Sequence, residues 1–243
     1  MSATTTAPKQ DGFSIGRLLL EGRAFFALIA IIAVFSFLSP NYFTVSNFLI
    51  MSSQVAIYGI LSVGMLLVIL NGGIDLSVGS ILALCGVCAG AMMQGVTLEW
   101  AGVILYPPVW AVVVLTIAIG AAVGALNGVL VAFFKVPPFV ATLGVMYVAR
   151  GVALLMTNGL TYNNLRGQEA LGNTGFNWLG FNRLWGIPIS VIVLAVVAVL
   201  AGLMLSRSAF GRWLYASGGN ERAAELSGED NADEMRLDLN RRP

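Results

Sequence analysis

Asp75 stands in the stretch NGGIDLSVGS, residues 71–80, between two long apolar runs. A carboxylate in such a place could cap a helix, face a polar pathway or hold a ligand, and its neighbours bear on the choice. Gly72 and Gly73 permit positive φ and break the preceding helix. Asp75 or Ser77 is then placed to accept backbone N–H groups at the start of the next helix, where a negative charge also suits the helix dipole. The other reading is a translocation pathway, because irregular backbone at membrane depth is tolerated only inside protein or facing water. Asn71, Gly72, Gly73, Asp75 and Ser77 are the candidates for it, and one residue can serve as both cap and pathway.

Arg150, in MYVARGVALL, is the only cation well inside an apolar run. An ionisable group in a membrane span is a functional candidate by default, so Arg150 joins the pathway residues. Its position toward the outer end also allows it to snorkel or to bond carbonyls of a neighbouring helix. Asn127 reads as an interhelix hydrogen bond. The chain has no histidine, which excludes a His-ligated zinc site, a haem proximal ligand and a histidine proton relay. Cys85 and Cys88 form one C-x-x-C within an apolar run and read as small helix-packing residues. No paired carboxylates stand inside a span, so no enzyme chemistry, cofactor or metal site is expected. No G-x-x-x-x-G-K-[ST] occurs, so any ATP must be used by another subunit.

The surrounding elements are those of a membrane protein. Of 243 residues, 58% are hydrophobic and 10% charged, against about 25% charged in soluble domains. The net charge of +1 excludes a nucleic-acid protein, which needs a concentrated basic patch. A crossing helix takes about 20 mostly apolar residues. By that ruler there are six candidates: Ala24 to Leu38, Phe48 to Leu70, Ser77 to Met93, Val109 to Phe134, Pro137 to Thr157 and Pro188 to Ser206. The expected fold is therefore an all-α polytopic bundle of about six transmembrane helices. Lys9, Arg17 and Arg23 precede the first span, Lys135 lies between the fourth and fifth, and Arg207, Arg212 and Arg222 follow the sixth. By the positive-inside rule both termini are cytoplasmic, and the loops at 39–47, 94–108 and 158–187 face outward.

Two small-residue stripes, Gly120–Gly124–Gly128 and Gly79–Ala83–Gly86–Gly90, are expected to let helices pack closely in lipid. After the sixth span comes GRWLYASGGNERAAELSG, residues 211–228. Gly218 and Gly219 make a turn there, Asn220 caps and Glu221 complements the new helix N-terminus. Ala223, Ala224 and Leu226 offer a small apolar patch before Gly228 ends the helix. So short a helix needs a groove to hold it, either on its own bundle or on a cytoplasmic partner. Residues 229–243 are charge-dense and are expected to be a disordered tail. The expected division is 1–23 cytoplasmic, 24–206 transmembrane, 207–228 cytoplasmic coupling loop and 229–243 tail.

The stretches NGGIDLSVGSILAL, VPPFVATLGVMYVARG and GRWLYASGGNERAAELSG together resemble the permease subunits of bacterial ABC sugar importers of the ribose, xylose and arabinose type. The resemblance covers most of residues 24–228. It implies an inner-membrane subunit that works with a cytoplasmic ABC ATPase, a periplasmic sugar-binding protein and a second permease copy, identical or not. The substrate class it implies is a monosaccharide or related polyol. It further implies that Gly218, Gly219, Asn220, Glu221, Ala223, Ala224, Leu226 and Gly228 dock the ATPase. Members of that family continue past the docking stretch with more spans and a further Gly-rich motif. The family-like pattern stops here after Gly228, and the expectation is a truncated or frame-shifted permease. The alternatives are half of an ion-coupled secondary transporter, disfavoured by the shortage of mid-membrane ionisable residues, and a remnant that transports nothing.

Overall fold

The computed structural model describes residues 22–162 and 165–219. Most of the N-terminal segment, the tail at 229–243 and the docking residues Asn220, Glu221, Ala223, Ala224, Leu226 and Gly228 lie outside the described residues. The chain divides into two compact units, with the boundary between Met51 and Ser52.

The first unit carries α1 (Arg23–Leu38) and the start of α2 (Val45–Leu70). No side chain of α1 is buried, and Phe25, Leu28, Ile31 and Val34 are all exposed. In water such a face would drive aggregation, whereas for a helix in hydrocarbon lipid is the solvent. The corner before α2 is built from polar groups. Thr44 Oγ1 donates to the Asn41 carbonyl at 2.8 Å and accepts the Asn47 N–H at 3.3 Å, capping α2, and Asn47 Nδ2 donates to the Tyr42 carbonyl at 2.8 Å.

The second unit holds the rest of α2, then α3 (Val78–Gln94), α4 (Val109–Ala132), α5 (Pro138–Thr157), the short α6 (Phe176–Phe181) and α7 (Ile189–Arg207). Two antiparallel hairpins interrupt them: β1 (Val96–Leu98) with β2 (Val103–Leu105), and β3 (Arg183–Leu184) with β4 (Ile187–Pro188). The core lies where α3 packs on α4 and α5. Leu84 meets Ala149 and Ala153, with Val87, Cys88 and Val123 around them. Ala89, Met93 and Val112 form a second cluster toward the hairpin ends. α2 approaches α7 closely, with the Ser53 and Ser190 hydroxyls 2.8 Å apart, and a Cβ on Gly59 would meet Leu194 Cδ2 at 2.8 Å.

All six apolar segments are helices, with ends within three residues of those read from sequence. Among the described residues, four are long and apolar enough to cross a membrane: α2, α4, α5 and α7. The remaining two, α1 with 16 residues and α3 with 17, are shorter. The protein is an all-α, multi-pass membrane chain. The glycine stripes differ from the expectation of uniform helix packing. An added Cβ at Gly120 would contact Cys85 Sγ of α3 at 3.2 Å, while at Gly124, Gly128, Gly79 and Gly86 it would meet open space. Gly90 instead faces the Tyr162 ring.

The long loop after α5 is fixed by a buried amide. Asn173, 1% exposed, accepts the Gln168 N–H on Oδ1 at 2.7 Å and donates from Nδ2 to the Met93 carbonyl at 3.3 Å. Gly167, at φ +72°, lies so close to Asn173 that a Cβ would strike its carbonyl. Asn173→Ala strands the half-buried Gln168 N–H and the buried Met93 carbonyl and should destabilise the loop by about 1–3 kcal/mol. Hydrogen exchange at the Gln168 amide checks this: exchange unchanged from wild type would show that the loop is held by other means.

Candidate functional site

The connection between α2 and α3 combines a helix stop with a polar network. At the stop, the Gly72 N–H donates to the Ile69 carbonyl at 2.9 Å and the Gly73 N–H to the Val68 carbonyl at 3.0 Å. With Gly72 at φ +78°, this is a Schellman termination, and glycine is required there because an L side chain would be strained. The chain then runs without regular structure, bending at Leu76, to Ser77, which is fully buried.

Asp75 does not cap α3. Its Oδ1 accepts the Ser77 N–H at 2.7 Å and the Ser77 hydroxyl at 2.5 Å, an Asx-type turn ahead of the helix. Ser77 is the first flanking residue of α3, but its side chain makes no capping bond. Its hydroxyl is already committed, donating to Asp75 and accepting from Asn127 Nδ2 at 2.8 Å. The expectation of a cap at Asp75 or Ser77 is thus corrected: a neighbour fifty positions along the chain recruits the serine. Thr142 of α5 ties the other side of the segment, donating to its own helix at the Pro138 carbonyl (2.8 Å) and, more weakly, to the Ile74 carbonyl (3.3 Å). The break is therefore clamped between α4 and α5.

The chain after α7 reaches the same place. Ser208 Oγ donates to the Met204 carbonyl at 2.5 Å and accepts the Gly211 N–H at 3.1 Å. One hydroxyl thus closes α7 and caps the helical stretch over residues 209–219. Gly211 and Leu214 are buried on that stretch, while Trp213 and Tyr215 are exposed, as suits aromatic rings at a membrane interface. Ser217 Oγ donates to Asn71 Oδ1 at 2.6 Å. A Cβ on Gly218 would collide with the Leu70 carbonyl oxygen and lie 3.4 Å from Asn71 Cα. Gly218 and Gly219 are helical with no positive φ, so the turn expected there is corrected. Gly218 is glycine because two backbones meet, and a close approach leaves no local trace in sequence.

A cavity of about 320 Å³ lies between the break, α4, α5 and the stretch after α7. Asn71, Gly73, Asp75, Asn127, Thr142 and Leu214 all line it. Asn127 makes the interhelix hydrogen bond expected of a lone Asn in the apolar α4, here to Ser77; that it and Thr142 border the cavity was missed, because this depends on helix packing. A wider cleft of about 490 Å³ adjoins it, bordered by Gly72, Lys135 and Ser217. Arg150 is exposed on α5 and borders neither. It stands eight residues beyond Thr142, about 12 Å along the helix at ~1.5 Å per residue. The structure thus unites Asn71, Gly73 and Asp75 with Ser77, Gly218 and the clamp residues, and leaves Arg150 apart. Among the described residues no cluster of His, Cys, Asp or Glu could hold a metal ion.

With the geometry in place, comparison with known proteins gives consistent results. The family described as "Branched-chain amino acid transport system / permease component" matches residues 47–233, running past Gly228, where the sequence pattern had placed the end of the likeness. The chain is similar to the ribose import permease protein RbsC of Escherichia coli, 41% identical over 210 residues, which are 86% of this chain and 61% of that protein. It is 33% identical over 204 residues to the autoinducer 2 import system permease protein LsrD of Klebsiella pneumoniae, covering 82% of this chain and 57% of that one. It is 32% identical over 179 residues to the fructose import permease protein FruF of Bifidobacterium longum, covering 73% and 46%. The chain spans about three fifths of the length of the ribose permease it matches. No solved structure matches it.

Proposed function

This chain belongs to the branched-chain amino acid transport system / permease component family, and from that premise we propose that it is the membrane-spanning permease subunit of an ATP-binding-cassette importer. Its cargo is a monosaccharide or related polyol, in keeping with the ribose and fructose named for its relatives. It works in a bacterial inner membrane with both termini cytoplasmic, beside a second permease copy. A periplasmic binding protein delivers the sugar and a cytoplasmic ATPase uses the ATP, so the chain itself carries no cofactor and performs no covalent chemistry. Residues 24–206 form the transmembrane part and 207–228 the coupling segment. Asn71, Gly72, Gly73, Asp75 and Ser77 belong to the translocation pathway. Arg150 serves the same pathway from the outer half of α5.

The contact of Ser217 and Gly218 with the end of α2 carries this reading. The residues that dock the ATPase begin here, and this contact joins them to the broken segment. Movement of the ATPase is thereby delivered to the pathway, where the break lets α2 and α3 shift as separate bodies in alternating access.

Glu221→Lys together with Ala224→Trp should abolish co-purification of the ATPase while the chain still inserts in the membrane. Retained co-purification would count against docking at this segment. Uptake that survives removal of the ATPase but collapses with the proton gradient would favour an ion-coupled transporter instead.

A further inference from the structure

Resting on that reading, we infer that the cavity beside the break is a station at which the side-chain carbonyl of Asn127 holds a neutral, polyhydroxylated ligand of monosaccharide size. Asn127 is 7% exposed, and its Oδ1 is buried with no partner among the described residues. The network fixes which amide atom this is. The Ser77 hydroxyl gives its one proton to Asp75 Oδ1, a carboxylate that can only accept. Ser77 Oγ must then accept from Asn127, which turns Nδ2 toward Ser77 and leaves Oδ1 as the unmatched atom. A buried acceptor without a donor calls for an explanation, and a ligand hydroxyl is the donor that fits.

The walls specify the ligand further. Among the described residues no Lys or Arg lines the cavity, and the one charged group there is the Asp75 carboxylate, which repels anions and accepts hydroxyl donors. Leu67, Val131, Phe210 and Leu214 supply apolar surface for the C–H faces of a sugar. A volume of about 320 Å³ is at the small end of the roughly 300–1,000 Å³ usual for small-molecule sites. The room comes from Gly124 and Gly128, which border the cavity and where a Cβ would meet nothing within 4 Å. These glycines of the stripe therefore make space for a ligand, while Gly120 alone packs against α3.

The test uses the complete importer, with its ATPase and binding protein, in proteoliposomes. Uptake of the transported monosaccharide is compared with that of its single-deoxy analogues at concentrations that saturate the binding protein. The wild-type complex should disfavour one analogue by roughly tenfold, the effect expected for the loss of a single neutral hydrogen bond. Asn127→Leu should bring that ratio close to one. Gly124→Leu should reduce uptake more than about tenfold with assembly intact, since Gly124 borders the cavity and a Cβ there meets no protein atom within 4 Å. Gly202→Leu, also into open space but away from the cavity, should transport as wild type. Equal losses for the sugar and every analogue in Asn127→Leu would overturn the inference, as would normal uptake by Gly124→Leu, which decides alone should Asn127→Leu not assemble. A wild-type complex that moves no sugar would instead overturn the importer reading, and this inference with it.

Discussion

Gly218→Ala is expected to lower ATP-driven uptake at least about tenfold while the chain still reaches the membrane. A methyl at this position meets the Leu70 carbonyl and the backbone at Asn71. Backbone atoms at a helix end cannot rotate aside as a side chain could, so relief comes only by lifting residues 209–219 away. Overpacking of this kind costs about 1–3 kcal/mol, more than the fraction of a kcal/mol an exposed hydrogen bond such as Ser217–Asn71 restores. The seated state is then lost at equilibrium. Uptake in proteoliposomes and sugar-stimulated ATP hydrolysis measure the coupling, with Gly202→Ala as a substitution that meets no atom within 4 Å. Full coupling in Gly218→Ala would show that the contact transmits nothing.

Ser77→Val should be the most destabilising single change in the break. Ser77 is fully buried and its hydroxyl serves both Asp75 and Asn127. Valine removes both bonds and strands the Asn127 amide, a loss of about 2–4 kcal/mol, and its extra methyl adds roughly 1–3 kcal/mol of overpacking. Thermal unfolding in detergent should show the loss, with Ser77→Ala intermediate. A double-mutant cycle with Asp75→Asn isolates the shared bond, because residues in one hydrogen-bond network fail to add. Additive effects would mean that Asp75 and Ser77 act independently.

The helices were legible because each is marked twice, by an apolar run and by its punctuation. Asn71-Gly72-Gly73 stops α2, Pro137-Pro138 opens α5, and Pro188 precedes α7. Gly72 was legible too, since positive φ at a helix end is a local demand. Gly218 was misread by the same logic: its demand comes from a carbonyl far away in the chain, and local sequence cannot tell a turn glycine from a contact glycine. Ser77 shows the same limit. Its capping role follows from position, yet Asn127 outcompetes the helix for its hydroxyl. Asn173 was invisible because an amide in a polar loop carries no sign that it will be buried.

The corner at Ser208 has a mechanical consequence. The stretch from there to Gly218 is about 15 Å long at a rise of ~1.5 Å per residue, so a tilt of roughly 10° at the corner moves its tip by about 3 Å. That travel parts Ser217 from Asn71, now bonded at 2.6 Å, well past the ~3.2 Å reach of a hydrogen bond. A tilt of that size about the Ser208 corner is therefore enough to part this stretch from the break.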